Sequence, residues 1–259
     1  MTTIFAFVNW LKIGSMKNII GIIGGAGVAA TNLLNQLIES QITKDSLVLR
    51  DSDHPEIITY QAVSVPSRSM FYEGRGSSFI PGYIDIGLRL KNCGATVLSM
   101  NCNTAHAAID EIQNAVSLPF LNMISSVVLE VKKTIPRGRV GILTSDGCRM
   151  AKVYEKNFFS LGDEYDLIYP NSEHQKLLTT GICNIKNSNR FVSLADKRRP
   201  FFIFNQLCRH LLDQKVDAII IGCTDISVDF MVDSFNGIPV IDSLMVLSRD
   251  IIRVSKTGS

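Results

Sequence analysis

The chain has 259 residues, 46% of them apolar, enough for a sizeable core in one large or two ordinary domains. A net charge of +2, with 26 basic residues scattered along the chain, argues against a nucleic-acid partner. Six cysteines without a Cys-x-x-Cys, beside four scattered histidines, fit reduced thiols in the cytoplasm better than a disulfide framework or a metal site.

In chain order, Ile4 to Leu11 is apolar but too short to span a bilayer, and it lacks a signal peptide's basic flank and cleavage site. Residues 1–15 are read as an extension ahead of Met16, and no membrane association is expected. Lys17 to Gly27 reads as a basic residue, an apolar strand and a glycine-rich turn, and Ala29 to Ile38 and Ile84 to Leu90 as amphipathic helices. The strand Ala95 to Met100 runs into Cys102-Asn-Thr-Ala-His106. Next come a proline with a short strand, Leu118 to Asn122, and a helix, Ile124 to Val131. Arg137 to Gly147 repeats the basic residue, strand and small-residue turn, and Phe202 to Leu212 is helical. The strand Val216 to Ile221 runs into Cys223-Thr-Asp-Ile226, and Ile238 to Asp242 is again a proline with a short strand.

These landmarks repeat in register: Gly21 and Gly141, Cys102 and Cys223, and Pro119 and Pro239 stand 120, 121 and 120 positions apart. The repeat has the size of a domain, so two similar three-layer α/β domains with mainly parallel sheets are expected, related by pseudo-two-fold symmetry around a ligand cleft. Their expected limits are 16–118 plus about 226–259 for a discontinuous first domain and 119–225 for the second. Both cysteines then close parallel strands and open helices, where orphan N–H groups and the helix dipole favour thiolate and attract a carboxylate.

Two thiols flanking one ligand suit the inversion of a carbon stereocentre: one removes a proton and the other delivers a proton to the opposite face. Asn103, Thr104 and Thr224 offer donors beside them for a carboxylate. Cys93, Cys148, Cys183 and Cys208 default to core. His106, four residues after Cys102, is read as a satisfied supporting histidine ahead of a Cys–His pair, and His54, His174 and His210 receive no role. Gly25 to Ala30 also fits a dinucleotide-binding turn, with Asp51 as the ribose acid, but that reading leaves the duplicated cysteines unexplained. Arg68, Arg75 and Lys186 default to surface charges on their own.

Gly24-Gly-Ala-Gly27, Val65-Pro-Ser-Arg68, Cys102-Asn-Thr-Ala-His106 and Gly222-Cys-Thr224 together resemble the aspartate/glutamate racemase family across nearly the whole chain. The resemblance implies a two-domain enzyme without pyridoxal phosphate or other cofactor or metal, with Cys102 and Cys223 as its two bases. It implies that Asn103, Thr104, Thr224 and Thr144 hold the α-carboxylate and that Arg68 and Lys186 hold a side-chain carboxylate, with Gly25 and Asp225 in support. The expected partner is a small acidic amino acid, most of all aspartate, and the expected assembly is a homodimer. Ala26 and Val28 depart from the family's methionine and proline, and Asp225 stands where aspartate racemases often carry glutamate. Related two-cysteine chemistries are glutamate or hydantoin racemisation, maleate isomerisation and arylmalonate decarboxylation, and a catalytically silent aspartate-binding homologue is the non-enzymatic alternative.

Overall fold

A computed structural model describes residues 18–256 apart from Asp45, Ser46, Ser160, Leu161 and Asp163, and the extension read at 1–15 lies outside the described residues. The first half contains β1 (Ile20–Gly24), α1 (Val28–Thr43), β2 (Ile57–Gln61), α2 (Arg68–Tyr72), α3 (Ile80–Asn92), β3 (Val97–Met100), α4 (Ile109–Val116) and β4 (Phe120–Leu121). The chain continues through α5 (Met123–Thr134), β5 (Gly138–Leu143), α6 (Asp146–Met150), α7 (Val153–Phe159), β6 (Tyr165–Ile168), α8 (Ser172–Asn184) and α9 (Pro200–Asp213). It ends with β7 (Ala218–Ile221), β8 (Ser234–Phe235), β9 (Ile238–Asp242) and α10 (Ser243–Ser255).

The strands form two sheets, ordered β2-β1-β3-β4 and β6-β5-β7-β9-β8. All pairings are parallel except the edge pair β8 and β9. Removing β8 leaves the same strand order twice, which is the architecture expected from the repeated landmarks.

Period-two alternation sends each strand's side chains to two different helical layers. Ile20 and Ile22 of β1 join a central cluster with Val140 and Ile142 of β5, Ala218 and Ile220 of β7, and the buried faces of α1, α5, α7 and α10. Ile23, Leu98 and Met100 face α3 and α4 on one outer side, and Leu143, Ile219 and Ile221 face α8 and α9 on the other. The molecule is therefore helices, sheet, shared helices, sheet and helices. No helix among the described residues is long and apolar enough to cross a membrane.

Two strands lie in the other sheet from the one the expected limits assign. β4 falls after residue 118 yet pairs with β3, and β9 falls after 226 yet pairs with β7. Each connection returns the chain beside the strand it has just left, through the crossover helix α4 in the first half. Only the following helix changes sides: α5 packs against α7 and β9, whereas α10 packs against α1 and β4. The return of the C-terminal segment to the first half is thus a property of α10 alone.

Candidate active site

Cys102 and Cys223 each stand two residues past the last residue of the middle strand of their half, β3 and β7. A 3₁₀ turn at Thr104–Ala108 follows Cys102 and runs directly into α4, whereas the three-residue turn Ile226–Val228 after Cys223 leads into no α-helix. A turn of three residues carries few aligned peptides, so it supplies little of a helix dipole to Cys223. Burial pushes the Cys223 thiol well up from its ordinary value, and the neighbouring Asp225 carboxylate adds to the rise. This environment favours the thiol over the thiolate at Cys223, contrary to the helix-terminus expectation.

The two cysteine segments are joined directly, because Thr224 Oγ1 donates to the carbonyl of Asn101 at 2.9 Å. Buried hydrogen bonds surround them. Asn103 Nδ2 donates to Ser243 Oγ at 3.0 Å, and Tyr154 OH donates to Asn103 Oδ1 at 2.7 Å. Thr104 and Ser145 share a hydroxyl bond of 3.0 Å, and Thr144 Oγ1 donates to the carbonyl of Gly222 at 2.7 Å. The side chains of Asn103, Thr104 and Thr224 thus spend bonds on aligning the two halves, whereas that of Thr144 ties the ends of β5 and β7 within the second half. Tyr154, Ser145 and Ser243 escaped the sequence reading. Ser145 is the side-chain cap of α6 and a cap pattern could have drawn attention to it, whereas Tyr154 and Ser243 carry no distinguishing local pattern.

His106 sits behind the first cysteine. Its Nδ1 lies 2.8 Å from the Cys102 carbonyl, and its Nε2 accepts from the Met123 N–H at 3.2 Å. An Nε2 that accepts carries no proton, so Nδ1 is the donor, and both ring nitrogens are committed to backbone. Burial lowers the imidazole pKa to about 4, leaving a neutral supporting histidine with no nitrogen for the thiol. Cys148 and Cys208 are buried, and burial pushes each up to about 12, while Cys93 and Cys183 are exposed in contrast to their expected core placement.

Between the halves lies a cavity of about 820 Å³ whose wall includes Gly25, Gly27, Arg68, Lys186, Arg190 and Asp225 and neither cysteine, of which Cys102 adjoins Arg68 and Cys223 stands two positions before Asp225. Val28 and Val63 from one half and Phe191 from the other supply exposed apolar surface to the same wall. Arg68 opens α2 behind its Ser67 cap, and its Nη1 donates to the Pro66 carbonyl at 3.3 Å. Burial opposes its charge, but Cys102, Tyr83 and Asp225 together hold the guanidinium above its ordinary range. Across the cavity Lys186 Nζ meets Asp225 Oδ2 at 3.0 Å. Burial raises the enclosed Asp225 carboxyl despite Lys186, whereas the ion pair outweighs burial at the more exposed ammonium and raises Lys186. The two directions are compatible, since desolvation falls mainly on the inner partner.

Gly25 and Gly27 hold the β1–α1 turn against this wall. Gly25 has φ +79°, its N–H donates to Thr31 Oγ1 at 2.9 Å, and an added Cβ would lie 2.5 Å from the Ala62 nitrogen. Asp51, the acid of the dinucleotide alternative, falls in a separate 3₁₀ turn ahead of β2, away from the strand end such a motif requires. Among the described residues there is no group of three or more His, Cys, Asp or Glu side chains placed to hold a metal ion.

Paired cysteines after equivalent strands, beside a basic interdomain cavity, define the class of a two-sheet α/β enzyme with a duplicated thiol site. The model of the Asp/Glu/hydantoin racemase family matches residues 19–250, and the chain belongs to that family, as an isomerase of the amino-acid racemase type. The chain is 24% identical over 237 residues to the broad specificity amino-acid racemase RacX of Bacillus subtilis (strain 168), covering 90% of this chain and 96% of the relative. Its fold is similar to that of Picrophilus torridus aspartate racemase, with a TM-score of 0.76, 24% identity, and coverage of 92% and 94% of the two chains. Glutamate racemase isoform RacE1 from Bacillus anthracis is similar at a TM-score of 0.62 and 18% identity, with coverage of 92% of this chain and 82% of the other.

Proposed function

We propose that the enzyme racemises an acidic amino acid, aspartate foremost, by two-base proton transfer between Cys102 and Cys223, without a cofactor. The observation that carries this reading is the bond from Thr224 to Asn101, which binds two cysteine segments at equivalent strand ends into one site. Cys223, favoured as a thiol, delivers a proton to one face of the substrate carbon while Cys102 removes one from the other, and the reverse reaction exchanges these roles. Asn103, Thr104, Thr144 and Thr224 frame the place of the α-carboxylate, and because the Thr144 and Thr224 hydroxyls already donate to carbonyls, backbone N–H groups at the two turns are its main donors. Arg68 and Lys186 share one cavity wall and take the side-chain carboxylate, an assignment supported by the excess of basic over acidic residues there. Gly25 and Asp225 shape that wall.

Two free thiols are required, which fits the reducing cytoplasm, and a homodimer is the expected assembly, readable by light scattering. The division into two domains follows the two sheets, with α5 and α10 exchanged. Incubation of the fully reduced protein with L-aspartate in heavy water is expected to place deuterium at Cα and yield the D-enantiomer. C102S and C223S are each expected to lower racemisation by about 10²–10⁴-fold. Wild-type protein that exchanges no α-hydrogen on aspartate or glutamate overturns the acidic-substrate reading, and full activity in either serine variant overturns the two-base role.

A further inference from the structure

One buried hydroxyl touches both cysteine turns. Tyr154 lies in the first turn of α7 with its side chain in the central cluster, 1% exposed. Its OH donates to Oδ1 of Asn103 at 2.7 Å, and Asn103 directly follows Cys102. The same end of the ring lies over Gly222, which directly precedes Cys223: a Cβ built on Gly222 would stand 3.0 Å from the ring's Cε2 and 3.2 Å from the hydroxyl oxygen. Tyr154 therefore stands between the residue after one thiol and the residue before the other.

Filling the core at this place does not call for a hydroxyl. The position 120 residues earlier, in the register of the repeat, is Leu34 of α1, which is buried in the same central cluster and carries no polar side-chain atom. Burying a phenol instead strips water from its oxygen and returns one hydrogen bond, so packing alone gives it no advantage. What the bond adds is a fixed amide at Asn103. With Oδ1 turned to Tyr154 and Nδ2 to Ser243 Oγ at 3.0 Å, that side chain is held at both ends from the second half. On the other side of Cys102, Thr224 Oγ1 holds the Asn101 carbonyl at 2.9 Å. Cys102 is thus clamped before and after, and of these partners Tyr154 is the one that also packs on the residue ahead of Cys223. Burial pushes the Tyr154 phenol well up from its ordinary value, so it acts as a hydrogen-bond donor and not as a proton-transfer group.

We propose that Tyr154 is a positioning residue of the two-base reaction, its hydroxyl setting the separation of Cys102 and Cys223 by tying the turn of one to the turn of the other. This deepens the racemase reading and rests on it. The two sulfurs must reach opposite faces of one carbon, and a displacement of about 1 Å costs on the order of 10²-fold in rate.

The test is Y154F in the full chain, which keeps the ring in the core and removes only the hydroxyl. In α-hydrogen exchange of L-aspartate and L-glutamate in heavy water, kcat is expected to fall about 10–10²-fold with KM little changed. The pH profile is expected to keep both limbs, since the hydroxyl transfers no proton. N103A removes the acceptor, so adding Y154F to N103A is expected to cost nothing further. Amide exchange of the ligand-free protein reads the same tie without substrate. The His106 N–H donates to the Asn103 carbonyl at 3.1 Å and the Ile226 N–H to the Cys223 carbonyl at 3.0 Å, and both are expected to exchange faster in Y154F while the amides of α9 do not.

Wild-type kcat in Y154F, or an equal further loss when Y154F is added to N103A, overturns the positioning role and leaves the racemase reading standing. Faster amide exchange shared equally by α9 also overturns it, by making Tyr154 a core residue whose loss loosens the whole molecule. Wild-type protein that turns over neither acid removes the proposed function, and amide exchange then decides alone. Faster exchange confined to His106 and Ile226 upholds Tyr154 as the tie between the turns, and unchanged exchange there overturns both.

Discussion

His106 shows at the scale of one residue how a neutral ring holds a thiol segment in place. Both nitrogens bond to backbone, and the pKa of about 4 lies below the value of about 6.5 for an unfolded histidine. Between those values the unfolded chain binds a proton that the native one refuses, so stability rises with pH there and is lost on acidification. The contribution is fully present above about pH 6.5 and declines as pH falls toward about 4, by on the order of 2–3 kcal/mol. Unfolding by urea at several pH values is expected to give H106N a shallower fall across this window than wild type; parallel curves would disprove the assignment. The residue's supporting role was legible from its place four positions after Cys102. The Lys186–Asp225 pair was not, because it joins segments 39 positions apart through two different loops, and no periodicity relates them.

At the scale of elements, the two helices that exchange sides begin in the same way. Asn122 caps α5, its Oδ1 accepting from the N–H groups of Ile124 and Ser125, and Asp242 caps α10 through Leu244 and Met245. These caps stand 120 positions apart, in register with the repeat. Asp242 also accepts from Ser227 Oγ at 3.0 Å, while its second oxygen is buried with no hydrogen-bond partner among the described residues. Burial raises its carboxyl, opposed by the Ser227 and backbone bonds, so the buried charge is itself unfavourable near neutrality. D242A loses the cap and strands Ser227, and is expected to cost about 2 kcal/mol in thermal or urea unfolding. D242N keeps the accepting oxygen, removes the charge, and copies what the first half already carries; it is expected to match or exceed wild type at pH 7. A large loss in D242N would show that the charge itself is needed. The long helices were legible because their apolar faces recur every three to four residues. The five-residue helices α2 and α6 are too short to show such a period, and the two-residue β8 too short to show alternation.

At the scale of the molecule, the duplication was legible from glycine, cysteine and proline offsets, but the exchange of α5 and α10 was not. A strand's sequence declares that it is buried without declaring which sheet buries it, so β4 and β9 could be assigned only from their pairing. The exchange has a thermodynamic consequence. The central cluster draws side chains from both sheets and from the helices between them, so neither half keeps a complete core when the other unfolds. Leu244, Leu247 and Ile251 of α10 are buried in that cluster, and each such side chain contributes roughly 1.5–3 kcal/mol on burial. Their sum rivals the entire stability of an ordinary domain, about 5–15 kcal/mol. The halves are therefore expected to unfold as one unit, with circular dichroism and the fluorescence of a tryptophan placed in either half following the same urea curve. A chain ending at Asp242 is expected to lose the native fold in both halves, so that amides of β1 and β5 exchange hydrogen equally fast. Protection of β5 retained after loss of β1 would show two independently stable domains, and the shared helical layer would then be a contact surface between them.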